Sequence, residues 1–79
     1  MKPTTMTRIN QLRRAALEAG MVPVGVLVPR RDIDHTMVSG AVFGMKIDVM
    51  TDRLEVLAMP NRRIGKYECV APTRFTEAL

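Results

Sequence analysis

The side chain of this sequence that titrates near neutral pH by default is the imidazole of His35. Asp32 and Asp34 lie close to it in the sequence, and carboxylates beside a histidine occur in metal sites. A closed zinc site needs four ligands, but the chain has no second histidine, and its one cysteine, Cys69, lies far along the sequence. Two carboxylates in a short polar stretch are typical of a solvated turn. We therefore predict no bound metal and no other cofactor.

The candidate nucleophiles and phosphate-binding glycines are explained by structural roles. Cys69 falls in a stretch that we predict to be a strand, next to Val70, where a small buried hydrophobe is expected. Ser39 is explained by a turn. Gly40 and Gly44 are followed neither by a helix nor by the Lys-Ser/Thr pair of a phosphate loop. We therefore predict that the protein is not an enzyme.

Basic side chains are the remaining candidates for binding chemistry. The chain has 12 Lys and Arg against 8 Asp and Glu, which gives a formal charge of +4. This balance favours acidic or nucleic-acid partners, and it excludes an inhibitor that imitates DNA, which would need a strongly acidic surface. The codon bias of a GC-rich genome is an alternative explanation for the arginines, and the sequence leaves both open.

The candidate partner contacts lie on a predicted helix and on two predicted loops. They are Arg8, Arg13 and Arg14 on the helix, Arg30 and Arg31 in the first loop, and Arg62, Arg63 and Lys66 in the second. We expect Arg8 and Arg14 to project away from the core, and Arg13, at its border, to extend its head group to water. Because charged rims mainly set encounter rate and orientation, an apolar anchor is also needed. We nominate Leu57 with Met59.

Nucleic-acid binding is an alternative function for the basic residues. If the loops that hold Arg30-Arg31 and Arg62-Arg63 meet at one end of a sheet, they form a phosphate-contacting patch. Three aromatic residues, one of them wanted in the core, cannot supply an interleaved set of stacking rings for single strands. A helix-turn-helix is excluded because only one helix is predicted. The alternative is therefore sequence-independent contact with a phosphate backbone at low affinity.

The element that positions the first arginines is the N-terminal helix. Thr4, Thr5 or Thr7 can cap a helix that runs to about Ala19, and Gly20 occupies the left-handed position after its end. The apolar side chains that share one face at helical spacing are Met6, Ile9, Leu12, Ala16 and Ala19. This narrow stripe predicts that the helix lies close against a sheet.

The stretch from Met21 to Val28 is predicted to be the first strand. Its core side is marked by four valines at alternate positions: Val22, Val24, Val26 and Val28. Pro23 cannot donate to a ladder and Pro29 ends the run, so we place this strand at a sheet edge or with its early part unpaired.

The alternation of apolar and polar residues from Ser39 to Met59 predicts a β-hairpin that turns at Thr51-Asp52. The cross-strand pairs that keep apolar residues on one face are Val49 with Leu54 and Ile47 with Val56. The same register places Asp48 opposite Glu55, a like-charge pair that is disfavoured.

Residues 33–43 have two interpretations. In one, Ile33 to Val38 form a strand that turns back at Ser39-Gly40, with Val38, Ala41 and Phe43 joining the core; in the other, Asp34 caps a short helix through Met37. In the first case one end of the other sheet face is unusually apolar. The residues that gather there are Met37, Val42, Leu57 and Met59.

The C-terminal part is predicted to contain the last strand, from Tyr67 to Ala71, which Pro72 ends. The remaining residues, Thr73 to Leu79, are predicted to be a tail. In that tail, Phe75 and Leu79 would fold back over the apolar end of the sheet.

Together these elements predict an α+β fold in which one N-terminal helix packs on an antiparallel sheet of four to five strands, as a single compact domain over residues 1–79. No apolar run approaches the roughly 20 residues that cross a bilayer, and the N-terminus lacks a continuous apolar segment. A single cysteine excludes an intrachain disulfide. We predict a cytoplasmic protein without a membrane partner, a monomer or weak homodimer.

With one short helix, an antiparallel sheet and no catalytic motif, the chain resembles in format the small phage-encoded accessory proteins that include the anti-CRISPR inhibitors. Its segment Phe43–Val49 also looks like a segment of small prophage proteins. The resemblance implies an inhibitor that binds a CRISPR surveillance complex stoichiometrically and obstructs target-DNA binding in the host cytoplasm. A basic member would dock on an acidic protein surface or near bound nucleic acid. No functional residue of that family can be assigned to a position here.

The sequence thus gives three hypotheses for function. The first is a non-enzymatic protein-binding inhibitor with a basic surface. The second is a small basic nucleic-acid-binding accessory protein. The third is a phage structural or self-associating module, in which the apolar end of the sheet forms a symmetric dimer.

Overall fold

A computed structural model describes residues 4–33 and 45–78 of the chain. The predictions made for the following residues lie outside the described residues: Asp34, His35, Met37, Val38, Ser39, Gly40, Ala41, Val42, Phe43, Gly44 and Leu79.

Helix α1 spans Thr5–Glu18, so it begins after one of the three predicted capping threonines and ends one residue before the predicted Ala19. Thr4 is its N-cap, and the Thr4 Oγ1 accepts the backbone N–H of Thr7 at 3.1 Å. This bond satisfies one of the N–H groups that the first turn leaves without a helical partner. At the other end Gly20 has a φ of 75°, a left-handed conformation that glycine adopts without strain.

The helix packs on one four-stranded sheet. The strands are β1 (Met21–Pro29), β2 (Lys46–Thr51), β3 (Glu55–Pro60) and β4 (Thr73–Thr76). Their order across the sheet is β2-β1-β3-β4, and a single 3-10 turn at Arg30–Asp32 follows β1. Strand β1 is parallel to β2 and antiparallel to β3, and β3 is antiparallel to β4. The predicted α+β class, with one N-terminal helix on a mostly antiparallel sheet, is confirmed, and the parallel pair makes the sheet mixed.

The predicted hairpin is wrong, because its two arms, β2 and β3, do not pair with each other. Strand β1 lies between them, so Val26 has Ile47 as its partner on one side and Val56 on the other. A period-two pattern shows which residues share a face of each strand, but it does not show which strands are neighbours. The parallel pair also needs a crossover of a dozen or more residues, and residues 30–45 connect β1 to β2.

Insertion of β1 also removes the predicted like-charge pair. Leu27 is the partner of both Asp48 and Glu55, so the two carboxylates lie two strand spacings apart, about 10 Å, instead of facing each other. Glu55 has favourable neighbours on β4. Its Oε1 accepts a hydrogen bond from Thr76 Oγ1 at 3.1 Å, and its Oε2 lies 3.5 Å from the Arg74 guanidinium.

A β-bulge divides β1 into two halves. The register against β3 shifts between Pro23 and Gly25, which leaves Val24 as an extra residue. One extra residue reverses the alternation of side chains along the strand. Val22 and Val24, predicted for the core, are therefore 43% and 44% exposed. The two valines that follow the bulge are fully buried, as predicted: Val26 and Val28.

Of the two placements predicted for β1, the sheet edge is wrong, because β1 lies between β2 and β3. Its early part pairs with β3, but no described pairing joins it to β2. Pro23 is nevertheless in a position that suits its missing N–H. Its neighbour on β3 is Ala58, the described pairing with β2 begins only at Gly25, and the bulge starts at Pro23 itself. Inside a sheet, bulges are among the few places where proline is tolerated.

The core lies between α1 and the helix-facing side of the sheet. Its buried cluster consists of Ile9, Val26, Val28, Met45, Leu54 and Val56, and Met6, Leu12, Ile47 and Phe75 pack against it. Ala19, predicted to extend the helical stripe, is exposed because it follows the last turn. No helix in the described ranges is long and apolar enough to span a membrane.

The last strand is Thr73–Thr76 and not the predicted Tyr67–Ala71. Phe75 pairs with Val56 and packs against the core on the helix side, so it does not fold over the other face of the sheet. The burial of Phe75 decides the position of the strand, because strand preference depends mainly on packing against neighbours. Pro72 therefore precedes the strand instead of ending it.

Candidate interaction surface

The face of the sheet that points away from α1, here called the open face, holds both nominated anchors. Val56 and Ala58 are fully buried on the helix side, so the alternate residues of β3, Leu57 and Met59, belong to the open face. Met59 lies opposite Val22 on β1. Both anchors are half-buried. The prediction that they share the face away from the helix is confirmed.

One end of the open face is apolar, and we call it the apolar patch. It consists of Val22, Leu57 and Met59, together with Val24, the exposed extra residue of the adjoining bulge. The anchors are therefore accompanied by two exposed valines, Val22 and Val24, which the alternation along β1 predicts for the core. The signal that could have found them is Pro23, since a proline inside a central strand indicates a bulge.

A shallow cleft adjoins the apolar patch. Its lining residues are Leu27, Asp48, Leu57, Ala71, Pro72 and Arg74. Opposite Leu57 on β1 is Gly25, where an added Cβ would lie 3.5 Å from Leu57 Cδ1, an ordinary van der Waals distance, so Leu57 packs over the backbone of β1 at this point. The cleft thus combines an apolar floor with one carboxylate and one guanidinium.

The two arginine pairs of the predicted loops lie at opposite ends of the sheet. Arg30-Arg31 follow Pro29 at the end of β1, whereas Arg62-Arg63 follow Pro60, which pairs with Met21 at the start of β1. The length of β1 separates them, about 25 Å at the usual rise per residue. The two loops therefore do not form a single phosphate-contacting patch. The nucleic-acid hypothesis loses the observation on which it mainly depended.

Arg8 is engaged inside the molecule, and the expectation that it projects into solvent is wrong. Its Nε and Nη2 donate to the two carboxylate oxygens of Glu77 at 2.9 and 2.6 Å, and its Nη1 donates to Asp32 Oδ2 at 2.8 Å. Its side chain is 20% exposed. The bonds to Glu77 in particular raise the pKa of Arg8, and the same guanidinium lowers the pKa of Glu77.

Arg62 also pairs with a carboxylate of the chain, but at the surface. Its Nη1 donates to Glu68 Oε2 at 3.0 Å, and its Nη2 donates to Glu68 Oε1. This pairing raises the pKa of Arg62 and lowers the pKa of Glu68, to which the backbone N–H of Gly65 also donates at 3.3 Å. Arg13 is half-buried, and its Nη1 donates to Asn10 Oδ1 at 3.3 Å.

Four of the candidate arginines are exposed and make no ion pair with a described residue: Arg14, Arg30, Arg31 and Arg63. Lys66 is exposed too, with its Nζ 5.8 Å from the ring centroid of Tyr67. Tyr67 itself is 92% exposed. The segment Tyr67–Ala71 is predicted to be a strand, so the sequence gives no sign of this exposure.

The fold also shows the surroundings of two other candidate residues, Cys69 and Asp32. Cys69 is exposed in the loop before β4, so the expectation of a buried strand cysteine is wrong. Asp32 is a partner of Arg8. Within residues 4–33 and 45–78, no group of three or more His, Cys, Asp or Glu is placed to hold a metal ion.

No protein-family model, curated protein or solved structure matches the chain.

Proposed function

We propose that the chain is a non-enzymatic protein-binding inhibitor that docks on an acidic partner through the apolar patch of the open face. The observation that carries the proposal is the exposure of Val22 and Val24 beside Leu57 and Met59, on the sheet face that α1 leaves uncovered. Apolar side chains grouped on one face are a common feature of interaction sites, whereas scattered ones need no explanation.

The basic side chains complement this anchor. Arg14, Arg30 and Arg31 carry charges that no described carboxylate neutralises, but they lie away from the patch, on α1 and at the far end of β1. Arg63 and Lys66 carry such charges next to the patch, in the loop that follows Met59 and Pro60. Such charges steer an acidic partner during encounter and fix its orientation, while the apolar contact supplies most of the affinity. Arg8 and Arg62 are left out of this set, because carboxylates of the chain already hold them.

The partner class is the one that the resemblance to the small anti-CRISPR inhibitors implies, a resemblance of format that rests on one short helix, an antiparallel sheet and no catalytic motif. We propose that the acidic partner is a CRISPR surveillance complex and that docking obstructs its binding of target DNA. The format of the chain supports this partner class, and the open face supplies the docking surface.

The anchor is tested by Leu57→Asp. A carboxylate in the centre of the apolar patch should weaken binding roughly 100-fold, because a charge would be desolvated there without a partner. Leu17→Asp is the matched control: Leu17 lies on the exposed side of α1, 58% exposed, away from the open face. Binding is measured against peptides selected by the wild-type chain from a random peptide library displayed on phage, with circular dichroism as the check of folding.

We expect the selected peptides to be rich in Asp and Glu with apolar residues between them. Selection of no acidic sequence, or equal binding by a folded Leu57→Asp variant, would contradict the proposed surface. The inhibitor role is tested separately with a purified CRISPR surveillance complex and labelled target DNA. A gel-shift titration should show DNA binding falling to an endpoint at a fixed ratio of chain to complex, and unchanged DNA binding would reject this partner class.

Self-association is the second candidate, and the same apolar patch favours it. Two copies that meet through Leu57 and Met59 would form a symmetric dimer. Sedimentation velocity at micromolar concentration separates the two functions. A dimer that Leu57→Asp dissociates and Leu17→Asp does not would support self-association, and a monomer would eliminate it.

A further inference from the structure

The connection between β3 and β4, residues 61–72, is much longer than a hairpin turn needs. Antiparallel neighbours are usually joined by two to five residues, and connections several times longer often carry function. Most of this loop is exposed, including Arg63, Lys66, Tyr67 and Cys69. Its length and exposure are not explained by the packing of the sheet.

The tip of the loop is nevertheless ordered by hydrogen bonds. The N–H of Glu68 donates to the carbonyl of Gly65 at 3.1 Å, which makes Lys66 and Tyr67 the two central residues of a β-turn. The Glu68 carboxylate receives the Gly65 N–H and both terminal nitrogens of Arg62. The turn is thus closed by an ion pair at its base, with Tyr67 at its tip.

Tyr67 is the most exposed large hydrophobic side chain among the described residues, at 92%. An aromatic ring has few rotatable bonds, so it supplies a large contact area at a small entropy cost on binding. A closed turn lowers that cost further, because its backbone is already fixed. Tyrosine is also among the residue types that most often dominate the binding energy of an interface.

The charge of the tip points to the chemistry of the surface it meets. Glu68 neutralises Arg62, whereas Arg63 and Lys66, which precede Tyr67 in the loop, have no described carboxylate partner and leave the loop with two unpaired positive charges. The Lys66 ammonium lies 5.8 Å from the ring centroid of Tyr67. A binding pocket for this tip would be apolar inside and carry carboxylates at its mouth.

The loop is continuous with the apolar patch. It leaves the sheet directly after Met59 and Pro60, and it returns through Ala71 and Pro72, which line the cleft beside Leu57. One partner surface can therefore contact the open face and the tip together.

We propose that Tyr67 is a second anchor of the same interface, inserted into an apolar pocket of the acidic partner whose carboxylates meet Arg63 and Lys66. The inference rests on the proposed function and adds to it the part of the chain that selects among acidic partners. Leu57 supplies a flat contact, and Tyr67 supplies a contact that requires a matching pocket.

The experiment uses the peptides that the wild-type chain selects from the displayed library. Tyr67 is the one tyrosine and the chain has no tryptophan, so with peptides that contain neither residue the tyrosine fluorescence reports on Tyr67 alone. We expect the acidic peptides to change this fluorescence on binding. Tyr67→Ala should weaken their binding roughly 30-fold, and the fold should persist because the side chain makes almost no intramolecular packing.

Two variants of the ion pair between Arg62 and Glu68 test the role of the turn. Arg62→Ala opens the ion pair and should weaken binding by about fivefold, since the tip must then be ordered on binding. The double variant Arg62→Glu with Glu68→Arg reverses the pair, leaves the net charge unchanged, and should bind within about threefold of the wild-type chain.

The outcomes separate the two proposals. Acidic peptides that bind Tyr67→Ala as tightly as the wild-type chain, but fail to bind Leu57→Asp, would overturn the second anchor and leave the proposed function standing. Selection of no acidic peptide would overturn both. Loss of binding by Tyr67→Ala, together with retained binding by the double variant that reverses the ion pair, would support the inference.

Discussion

Two arginines of this chain form bidentate pairs with glutamates, and their surroundings differ. Arg8 joins three elements, since its partners are Asp32 in the 3-10 turn and Glu77 after β4, 24 and 69 residues away. Arg62 and Glu68 are six residues apart in one loop. The Arg8 side chain is 20% exposed, whereas that of Arg62 is 50% exposed.

An arginine–glutamate pair can therefore stabilise the fold or shape a loop, depending on whether it connects distant segments or residues of one loop. Contacts between distant segments fix the arrangement of α1, the end of β1 and the C-terminal segment, and the partial burial of Arg8 makes loss of one partner costly. A local pair that water surrounds contributes little to stability. It can still hold a short turn in one conformation.

The largest expected effect comes from Arg8→Met. This change keeps most of the apolar stem, removes both hydrogen bonds to Glu77, and leaves that carboxylate partly buried without its guanidinium. We expect the free energy of unfolding to fall by about 2 kcal/mol, which urea denaturation measures. Arg14→Met is the matched control on the exposed side of α1, and it should leave the midpoint unchanged. Equal midpoints for the two variants would show that the Arg8 cluster does not hold the three segments together.

A smaller effect is expected from pH. Arg8 lowers the pKa of Glu77 below its ordinary value of 4.5. The pair therefore contributes its full stability above pH 4.5, and this contribution is lost as the pH falls through the lowered pKa of the folded state. Glu77→Gln should reduce stability by about 1.5 kcal/mol near neutral pH and by less in acid. Urea midpoints measured across this range should thus converge for the two proteins, and parallel curves would contradict the assignment.

Features that depend on neighbouring residues could be predicted from the sequence. The Thr4 cap, the end of α1 at Gly20 and the open-face position of Leu57 and Met59 all follow from local spacing. Strand neighbours could not be predicted in this way. The alternation from Ser39 to Met59 predicts strands on both sides of Thr51-Asp52, where β2 and β3 lie, but nothing in it indicates that β1 lies between them.

Three residues of the candidate surface, Val22, Val24 and Tyr67, could not be predicted from the sequence, for two physical reasons. A single bulged residue, Val24, reverses the face of the early part of β1, and the sequence marks it only by the preceding Pro23. Tyr67 was missed because strand preference in its segment is overridden by the burial of Phe75 in β4. The partners of Arg8 lie too far away in sequence for any local pattern to show them.

The smallest expected effect on stability, and the clearest test of the comparison, comes from Arg62→Met. Because the pair is exposed and local, its loss should leave the urea midpoint of the chain unchanged. The backbone of Lys66 and Tyr67 should become more mobile, which lower ¹⁵N order parameters at these two residues would show. Arg63→Met, a neighbouring change without an ion pair, should alter neither quantity. If Arg62→Met instead lowered the midpoint as far as Arg8→Met does, the loop would be part of the folded core, and the distinction between a fold-stabilising arginine and a loop-shaping one would fail.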